Sequence, residues 1–381
     1  MKVMRSIIIS LLLVFFPAAF AQQPALPTPP APTIAARSYV LLDFNSAQLL
    51  VAHVPQQRLE PASLTKLMTA YLTFTALRQK LISLDQAVTV STRAWRAEGS
   101  RMFIEPRKPV TVEELLHGMI VQSGNDACIA LAETVAGTEE TFAGLMNREA
   151  QRLGLTDTHF VNSTGLPHPQ HYSTAQDLAL LAAAIIRDFP EYYPLYSQKE
   201  YRYNNIAQPN RNRLLWTDPT VDGMKTGYTE NAGYCLITSA KRGERRLVSV
   251  VTGTVSDAVR ATESQKLLNY GFRFYDSVRL YARNQPVATL QVYKGSANSV
   301  NAGYLADLHL SVPKGQVEKL KATVESVQPL LAPVSVGQKV GVMRLTLDGK
   351  PFRELPVVAL ENVPVAGIFG RGWDALRLLF Q

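Results

Sequence analysis

Pro61-Ala-Ser63-Leu-Thr-Lys66-Leu-Met68-Thr-Ala-Tyr71-Leu72 decides how this chain folds. The proline opens a helix. Leu64, Leu67, Met68, Tyr71 and Leu72 then recur at i, i+3, i+4, i+7 and i+8, which predicts one buried face. Ser63 and Lys66 stand three apart, close to one helical turn, and project from neighbouring points of that surface. Two more strings follow in order, Ser123-Gly124-Asn125 and Lys225-Thr226-Gly227. The set holds a nucleophile with a nearby amine base, a second hydroxyl, a carboxamide and a carboxylate-binding cation. Serine acyl transfer needs these groups when no histidine takes part. One such string is weak; three in order within a domain's length are specific.

Working outward, residues 39–44 read as a strand and 46–54 as a turn and its return. Thr111-Val-Glu-Glu114 is a capping box that starts a helix through residue 121, and residues 126–135 form another, stopped by Gly137. Ser123-Gly124-Asn125 therefore falls between two helices, where side chains can face a cleft. Residues 139–153 and 174–186 are further helices, with a loop over 157–171. Beyond Trp216 the pattern turns to strands: 221–228, carrying Lys225-Thr226-Gly227, then 233–240 and 246–253 around a Lys241-Arg-Gly-Glu244 turn. A helix over 260–270 would lay Leu267, Leu268 and Tyr270 on that sheet.

The expected fold class is α/β over residues 35–275, an antiparallel sheet flanked by helices, followed by a small all-β domain over 276–362. Its strands are expected at 287–293, 308–312, 323–327, 340–347 and 356–360, with Asp348-Gly349 as a hairpin turn. It carries no catalytic constellation and reads as a spacer. In the last segment, 363–381, Ile368, Phe369, Trp373, Leu376, Leu379 and Phe380 share one arc of a helix, opposite Arg371, Asp374, Arg377 and Gln381. Bulky apolar groups opposite arginines at a chain end favour the plane of a membrane interface. Docking on the β domain is the alternative.

Lys2 and Arg5, the apolar run from Ile7 to Phe16 and Ala19-Phe-Ala21 make residues 1–21 a secretory signal peptide, too short in its apolar part for a membrane span. Residues 22–34, with Pro24, Pro27, Pro29, Pro30 and Pro32, form a leader too stiff and polar to join a core. The net charge of +8 is dispersed, without the aromatic-interleaved basic patch that would indicate nucleic acid. Two cysteines, Cys128 and Cys235, do not make a disulfide scaffold; buried thiols are favoured, with one bond between them as the alternative. There is no HExxH, GxSxG or GxxxxGK[ST] string, and His168 and His171 sit in a proline-broken loop that offers no third ligand. No metal or cofactor is expected.

These residues suggest a mechanism. Lys66 takes the proton of Ser63 only when neutral, and desolvation with a second cation nearby, Lys225, would lower its pKa to allow that. Ser63 attacks the acyl carbonyl, Ser123 relays a proton to the departing amine, and Asn125 holds the substrate amide and orients Lys66. Lys225 and Thr226 bind a carboxylate, and Gly227 keeps its strand open for close approach. The oxyanion lies between the backbone N–H groups of Ser63 and Tyr228. Arg211 and Arg260 read, from the residues alone, as solvated or paired surface charges.

The three strings match the SxxK, SxN and KTG set of penicillin-binding proteins and serine β-lactamases. From about Ala35 to the end, the chain resembles the D-alanyl-D-alanine carboxypeptidases, low-molecular-mass penicillin-binding proteins. The likeness is dense at Pro61–Met68, Gln122-Ser-Gly-Asn-Asp-Ala-Cys128, Asn162-Ser-Thr-Gly-Leu-Pro-His168, Val221-Asp-Gly-Met-Lys-Thr-Gly227 and Glu263-Ser-Gln-Lys-Leu-Leu268. It implies a transpeptidase-like domain, a β-sandwich and an amphipathic anchor on the outer face of the inner membrane, hence a periplasmic, peripherally attached protein. It implies removal of the terminal D-alanine from peptidoglycan pentapeptide stems through an acyl-serine, with β-lactam antibiotics acylating the same serine. It also places Arg260, and less directly Arg211, beside the substrate carboxylate. Tyr228 departs from the histidine or threonine common after Lys-Thr-Gly in these enzymes. A serine β-lactamase, a cross-linking transpeptidase and a catalytically silent wall-binding protein share parts of the pattern.

Overall fold

The computed structural model describes residues 29–367. The signal segment 1–21, the start of the leader and most of the terminal segment 363–381 lie outside the described residues.

Strands β1 (Ser38–Asp43) and β2 (Gln48–His53) precede a 3-10 turn, Ala62–Thr65, and helix α1 (Lys66–Arg78). The short pieces β3 (Ala87–Val88), α2 (Thr92–Trp95) and β4 (Val110–Thr111) lead to helices α3 (Val112–His117), α4 (Asn125–Ala136), α5 (Glu139–Arg152) and α6 (Ala175–Asp188). The hairpin β5 (Glu200–Tyr203) and β6 (Ile206–Pro209) and the single turn α7 (Leu214–Thr217) follow. Then β7 (Val221–Thr229), β8 (Gly233–Arg242) and β9 (Arg245–Thr254) run into α8 (Asp257–Phe274).

One antiparallel sheet, in the order β2-β1-β9-β8-β7, organises these elements and leaves β7 on an edge. Both of its faces are covered, and the two-residue period of a strand assigns alternate side chains to each. Val40, Leu42, Ile237, Val248 and Val250 join the core built with α1, α4 and α6, whereas Leu41, Leu236, Leu247 and Val251 join Leu267 and Leu268 of α8. The expected β8–β9 turn tightens to Gly243-Glu244, with Arg242 opposite Arg245 and Gly243 at φ +59°. The capping box at Thr111 forms as expected.

Helix α1 departs from the one-faced expectation. Every residue from Lys66 to Thr73 is buried, Thr69 and Thr73 included. Helices pack on it from several sides, so polar positions that imply a solvent face in the sequence are instead satisfied inside: Thr69 Oγ1 donates to the Ser163 carbonyl at 2.6 Å and Thr73 Oγ1 to that of Thr69 at 2.8 Å. The leader is also corrected. Ile34 is buried in the α8-side core, the Tyr270 hydroxyl donates to the Pro29 carbonyl at 2.8 Å, and Ala35 N–H reaches Glu263 at 3.3 Å. One apolar residue among the prolines suffices to dock that end. Helix α8 starts at Asp257, ahead of the expected residue 260, because the Ser256 side chain accepts from Val259 N–H as N-cap.

The second domain holds β10 (Tyr275–Tyr281), β11 (Pro286–Tyr293), β12 (Ser299–Gly303), β13 (Leu308–Pro313), β14 (Leu320–Ser326), β15 (Leu330–Leu331), β16 (Lys339–Leu347) and β17 (Lys350–Ala359). A six-stranded sheet, β14-β16-β17-β12-β11-β15, and the pair β10-β13 close on one core that includes Leu290, Val300, Leu310, Met343 and Val357. Asp348 and Gly349, both at positive φ, make the β16–β17 turn. The sequence pattern misses β10 and β12, and Pro351 hides the first half of β17. The pairing also runs past the expected boundary at 362: Val363 bridges Val334, Val365 bridges Gly295, and Ala366 N–H donates to the Lys294 carbonyl at 2.8 Å.

Arg245 staples the two domains. It pairs with buried Asp43 at 2.9 Å and donates to the carbonyls of Gly271 at 2.9 Å and Tyr275 at 2.5 Å. Ser46 and Ser311 hydroxyls meet at 2.8 Å across the same junction. Cys128 and Cys235 are both unpaired and buried, which decides between the two alternatives left by the sequence.

Candidate active site

A cleft of about 750 Å³ opens along the free edge of β7. The 3-10 turn before α1 puts Ser63 at its floor, with Ala62 held at φ +48°. Lys66 begins α1 one turn later and is 1% exposed. Its Nζ lies 2.9 Å from Ser63 Oγ, 2.7 Å from Asn125 Oδ1 and 2.6 Å from the Thr164 carbonyl. Burial, and after it the charge of Arg211, lowers its pKa from the ordinary lysine value. Lys225, the second cation expected from the sequence, is coupled to Lys66 as well.

Asn125 is fixed at both ends, since its Nδ2 donates to the Glu98 carbonyl at 2.6 Å. Ser123 follows a π turn, Gly118–Gln122, in the left-handed region at φ +68°, a strain on the order of 1 kcal/mol that packing must hold. Its hydroxyl is buried and has no hydrogen-bond partner among the described residues. Asp126, which follows Asn125, is in the sequence only the first residue of the expected helix. Its carboxylate collects the N–H groups of Met102 at 2.9 Å, Phe103 at 2.8 Å and Ile104 at 3.2 Å, and so holds the opposite wall.

Strand β7 supplies the other side. Gly227 packs on the serine turn: a Cβ there would stand 3.1 Å from the Pro61 carbonyl and 3.2 Å from Leu64 Cγ. Thr226 and Tyr228 line the cleft, and the half-exposed Tyr228 ring rests 4.4 Å from that of Tyr234. Lys225 lies beneath the surface, 3% exposed, with its Nζ donating to the Thr226 carbonyl at 3.1 Å. Burial first, then Lys66 and Arg211, lowers its pKa well below the lysine range.

Arg260 is not a surface charge, as its residues alone suggested. It is 5% exposed, donates to the Gly227 carbonyl at 3.1 Å and pairs with Asp257, which also pairs with Arg213. Arg211 faces the same end of the cleft, and partial desolvation and Arg260 draw its pKa down.

The loop of residues 162–171 completes the site, and periodicity gave no sign of it. Gly165, at φ +85°, fits against the Ala62 carbonyl. Val161 N–H donates to His171 Nδ1 at 3.1 Å, so Nε2 carries the proton and donates to Thr65 Oγ1 at 2.8 Å. Burial, followed by His159, His168 and Lys66, pushes the His171 pKa down to about 4. The unfolded chain binds a proton at this ring near pH 6.5, whereas the folded form resists until about pH 4. Stability is therefore complete above pH 6.5 and falls between 6.5 and 4, by on the order of 3 kcal/mol. Chemical denaturation of His171→Asn is expected to show a flatter pH dependence over that window. A wild-type stability that did not change from pH 7 to 4.5 would contradict this. Among the described residues, no group of His, Cys, Asp and Glu is placed to hold a metal ion.

Comparison with known proteins fits this geometry. The profile of the family described as D-alanyl-D-alanine carboxypeptidase matches residues 25–256, and that described as penicillin-binding protein 5, C-terminal domain, matches 275–365. D-alanyl-D-alanine carboxypeptidase DacC of Escherichia coli is 44% identical over 378 residues, covering 97% of this chain and 94% of its own. Penicillin-binding protein 5 from Haemophilus influenzae superimposes with a TM-score of 0.83 at 41% identity, over 87% of this chain and 98% of that one. A penicillin-binding protein from Listeria monocytogenes in an ampicillin-bound form matches 64% of this chain and all of its own, with a TM-score of 0.60 and 29% identity. The chain belongs to the D-alanyl-D-alanine carboxypeptidase family, serine hydrolases of the penicillin-binding protein class that act through an acyl-enzyme.

Proposed function

We propose that Ser63 is the nucleophile and neutral Lys66 its base, in an enzyme that removes the terminal D-alanine from peptidoglycan pentapeptide stems. The observation that carries this is the triangle around Lys66 Nζ. A neutral amine has two hydrogens and one lone pair. The carbonyls of Asn125 and Thr164 can only accept, so they take the hydrogens and aim the lone pair at the Ser63 hydroxyl. Ser63 Oγ then attacks the penultimate D-alanine carbonyl as its proton passes to Lys66. The oxyanion forms between the N–H groups of Ser63 and Tyr228. Ser123, whose hydroxyl is otherwise unengaged, carries the proton to the departing D-alanine nitrogen. Water resolves the acyl-serine by the reverse path.

The leaving D-alanine carries a carboxylate. Thr226 meets it at the cleft wall, with Lys225 behind and Arg260 and Arg211 beside it, while Gly227 lets β7 approach the serine. A β-lactam presents an acyl carbonyl and a carboxylate in the same relation, which makes Ser63 its target too. The ampicillin-bound relative supports that extension. Of the segment expected over 363–381, the amphipathic part from Ile368 onward is proposed to associate with the outer face of the inner membrane, with the catalytic domain working in the periplasm. Among the described residues, no helix is long and apolar enough to cross a membrane.

Mass spectrometry after brief penicillin treatment, with D-alanine release measured on a pentapeptide, tests the assignment. A stable adduct on Ser63 and released D-alanine are expected. Rapid penicillin turnover without a lasting adduct would favour a β-lactamase, and dimeric peptide products a transpeptidase. Failure to label at all would sink the catalytic reading.

A further inference from the structure

The loop joining β14 to β16 has an unusual composition for a surface. Val327-Gln-Pro-Leu-Leu-Ala-Pro-Val-Ser-Val-Gly-Gln338 contains no charged residue. Leu330 and Val334 anchor it in the β core, at 5% and 2% exposure. Val327, Leu331 and Val336 face outward instead, 55%, 44% and 48% exposed. Backbone bonds tie this loop to the place where the chain leaves the domain: Val334 bridges Val363, Val336 N–H donates to Asn362 Oδ1 at 2.8 Å, and Ala332 N–H to the Tyr293 carbonyl at 2.9 Å. Val365, itself 44% exposed, bridges Gly295 beside it. Apolar side chains therefore gather at the exit of the chain, on a loop that carries no charge.

Connection length decides what covers them. Ala366 is pinned by its bond to the Lys294 carbonyl, and only Gly367 separates it from the amphipathic segment that begins at Ile368. Two residue steps span at most about 7 Å, and an interfacial helix sinks roughly 5–10 Å into the headgroup boundary. With residues 368–381 in that plane, as proposed above, this end of the β domain has no slack to stand clear of the lipid. The loop itself brings no charge to that contact, although Lys294, Lys339 and Glu361 flank it, and its exposed apolar groups gain from leaving water.

We infer that residues 327–338, together with Val365, form a second lipid-contacting element. It places Val327, Leu331 and Val336 among the headgroups of a phospholipid bilayer beside the terminal segment, and so fixes the tilt of the enzyme on its membrane. This inference rests on the membrane reading of residues 368–381, and its test separates the two.

The mature chain, residues 22–381, carrying Leu331→Cys would be labelled with an environment-sensitive dye, since Cys128 and Cys235 are buried. Vesicles of phosphatidylethanolamine and phosphatidylglycerol are then added. The dye is expected to shift to the blue and to be quenched by a lipid-borne quencher. The triple variant Val327→Glu, Leu331→Glu, Val336→Glu is expected to bind the vesicles about tenfold more weakly, with D-alanine release from a soluble peptide unchanged. If the parent binds vesicles while the dye stays silent and the triple variant binds equally well, the loop contact is overturned and the terminal-segment reading stands. If the parent does not bind, both fall. A dye shift without vesicles that disappears on deleting residues 368–381 would show the tail covering the loop, and would also overturn the inference.

Discussion

Lys66→Ala is expected to slow acylation of Ser63 by penicillin about 10³-fold or more, as loss of a general base does. A stopped-flow or gel assay with fluorescent penicillin reads this directly. Lys66→Arg sharpens the result. Arginine keeps the positive charge but does not give up its proton at accessible pH. If the lysine acted only as a cation, arginine would restore much of the rate; as a base, it restores almost none. The pH profile follows the same logic. The active form is the neutral amine, so acylation rises with pH through the Lys66 pKa and levels off above it. Burial places that midpoint below the ordinary 10.5. Lys66→Ala should lack this limb. The variant also leaves the Asn125 and Thr164 carbonyls unmet, at about 1–3 kcal/mol each, so a thermal melt must accompany the kinetics. An alanine variant that acylates normally would remove lysine from the mechanism.

The second large effect is structural. Gly165→Ala would drive a methyl group into the Ala62 carbonyl at a backbone angle of φ +85°. Neither group is a flexible side-chain end, so the loop must retreat from the serine turn. Its retreat takes the Thr164 carbonyl from Lys66 and the Ser163 carbonyl from Thr69. A loss of about 3 kcal/mol or more is expected, together with a fall in acylation rate. Gly154→Ala is the control. It has a similar φ of +76° but nothing within 4 Å of the added carbon, so it should lose only about 1 kcal/mol and acylate normally. Equal effects from the two substitutions would mean that backbone angle matters and the serine-turn contact does not.

Much of this arrangement is readable in the chain because local rules agree with the global fold. The capping box at Thr111, the glycine after α4 and the Asp348-Gly349 turn all act through neighbours a few residues away. The three strings assigned to catalysis by the proposal are readable for a different reason: the chemistry proposed for them restricts residue type at fixed spacing. What stays hidden depends on contacts distant in sequence. Arg260 looks like any helix-surface arginine until β7 and β8 offer it carbonyls. Asp126 looks like a favourable first-turn charge, and only the fold brings residues 102–104 to it. Thr164 contributes through its backbone, which no residue type can announce. Helix α1 misleads because threonine inside a protein and threonine facing water look alike in a one-dimensional pattern.

The two lone sulfhydryls, Cys128 at 0% and Cys235 at 1% exposure, belong to different layers: one on the helix behind Ser123, the other in the central sheet. Burial raises the first to about 12 and the second to about 11, so neither is a thiolate in the resting fold. With no disulfide to form, the fold asks nothing of an oxidase. An alkylating reagent should therefore register each thiol only during excursions that open its layer, making the unaltered chain its own gauge of which layer loosens first when a β-lactam occupies the serine.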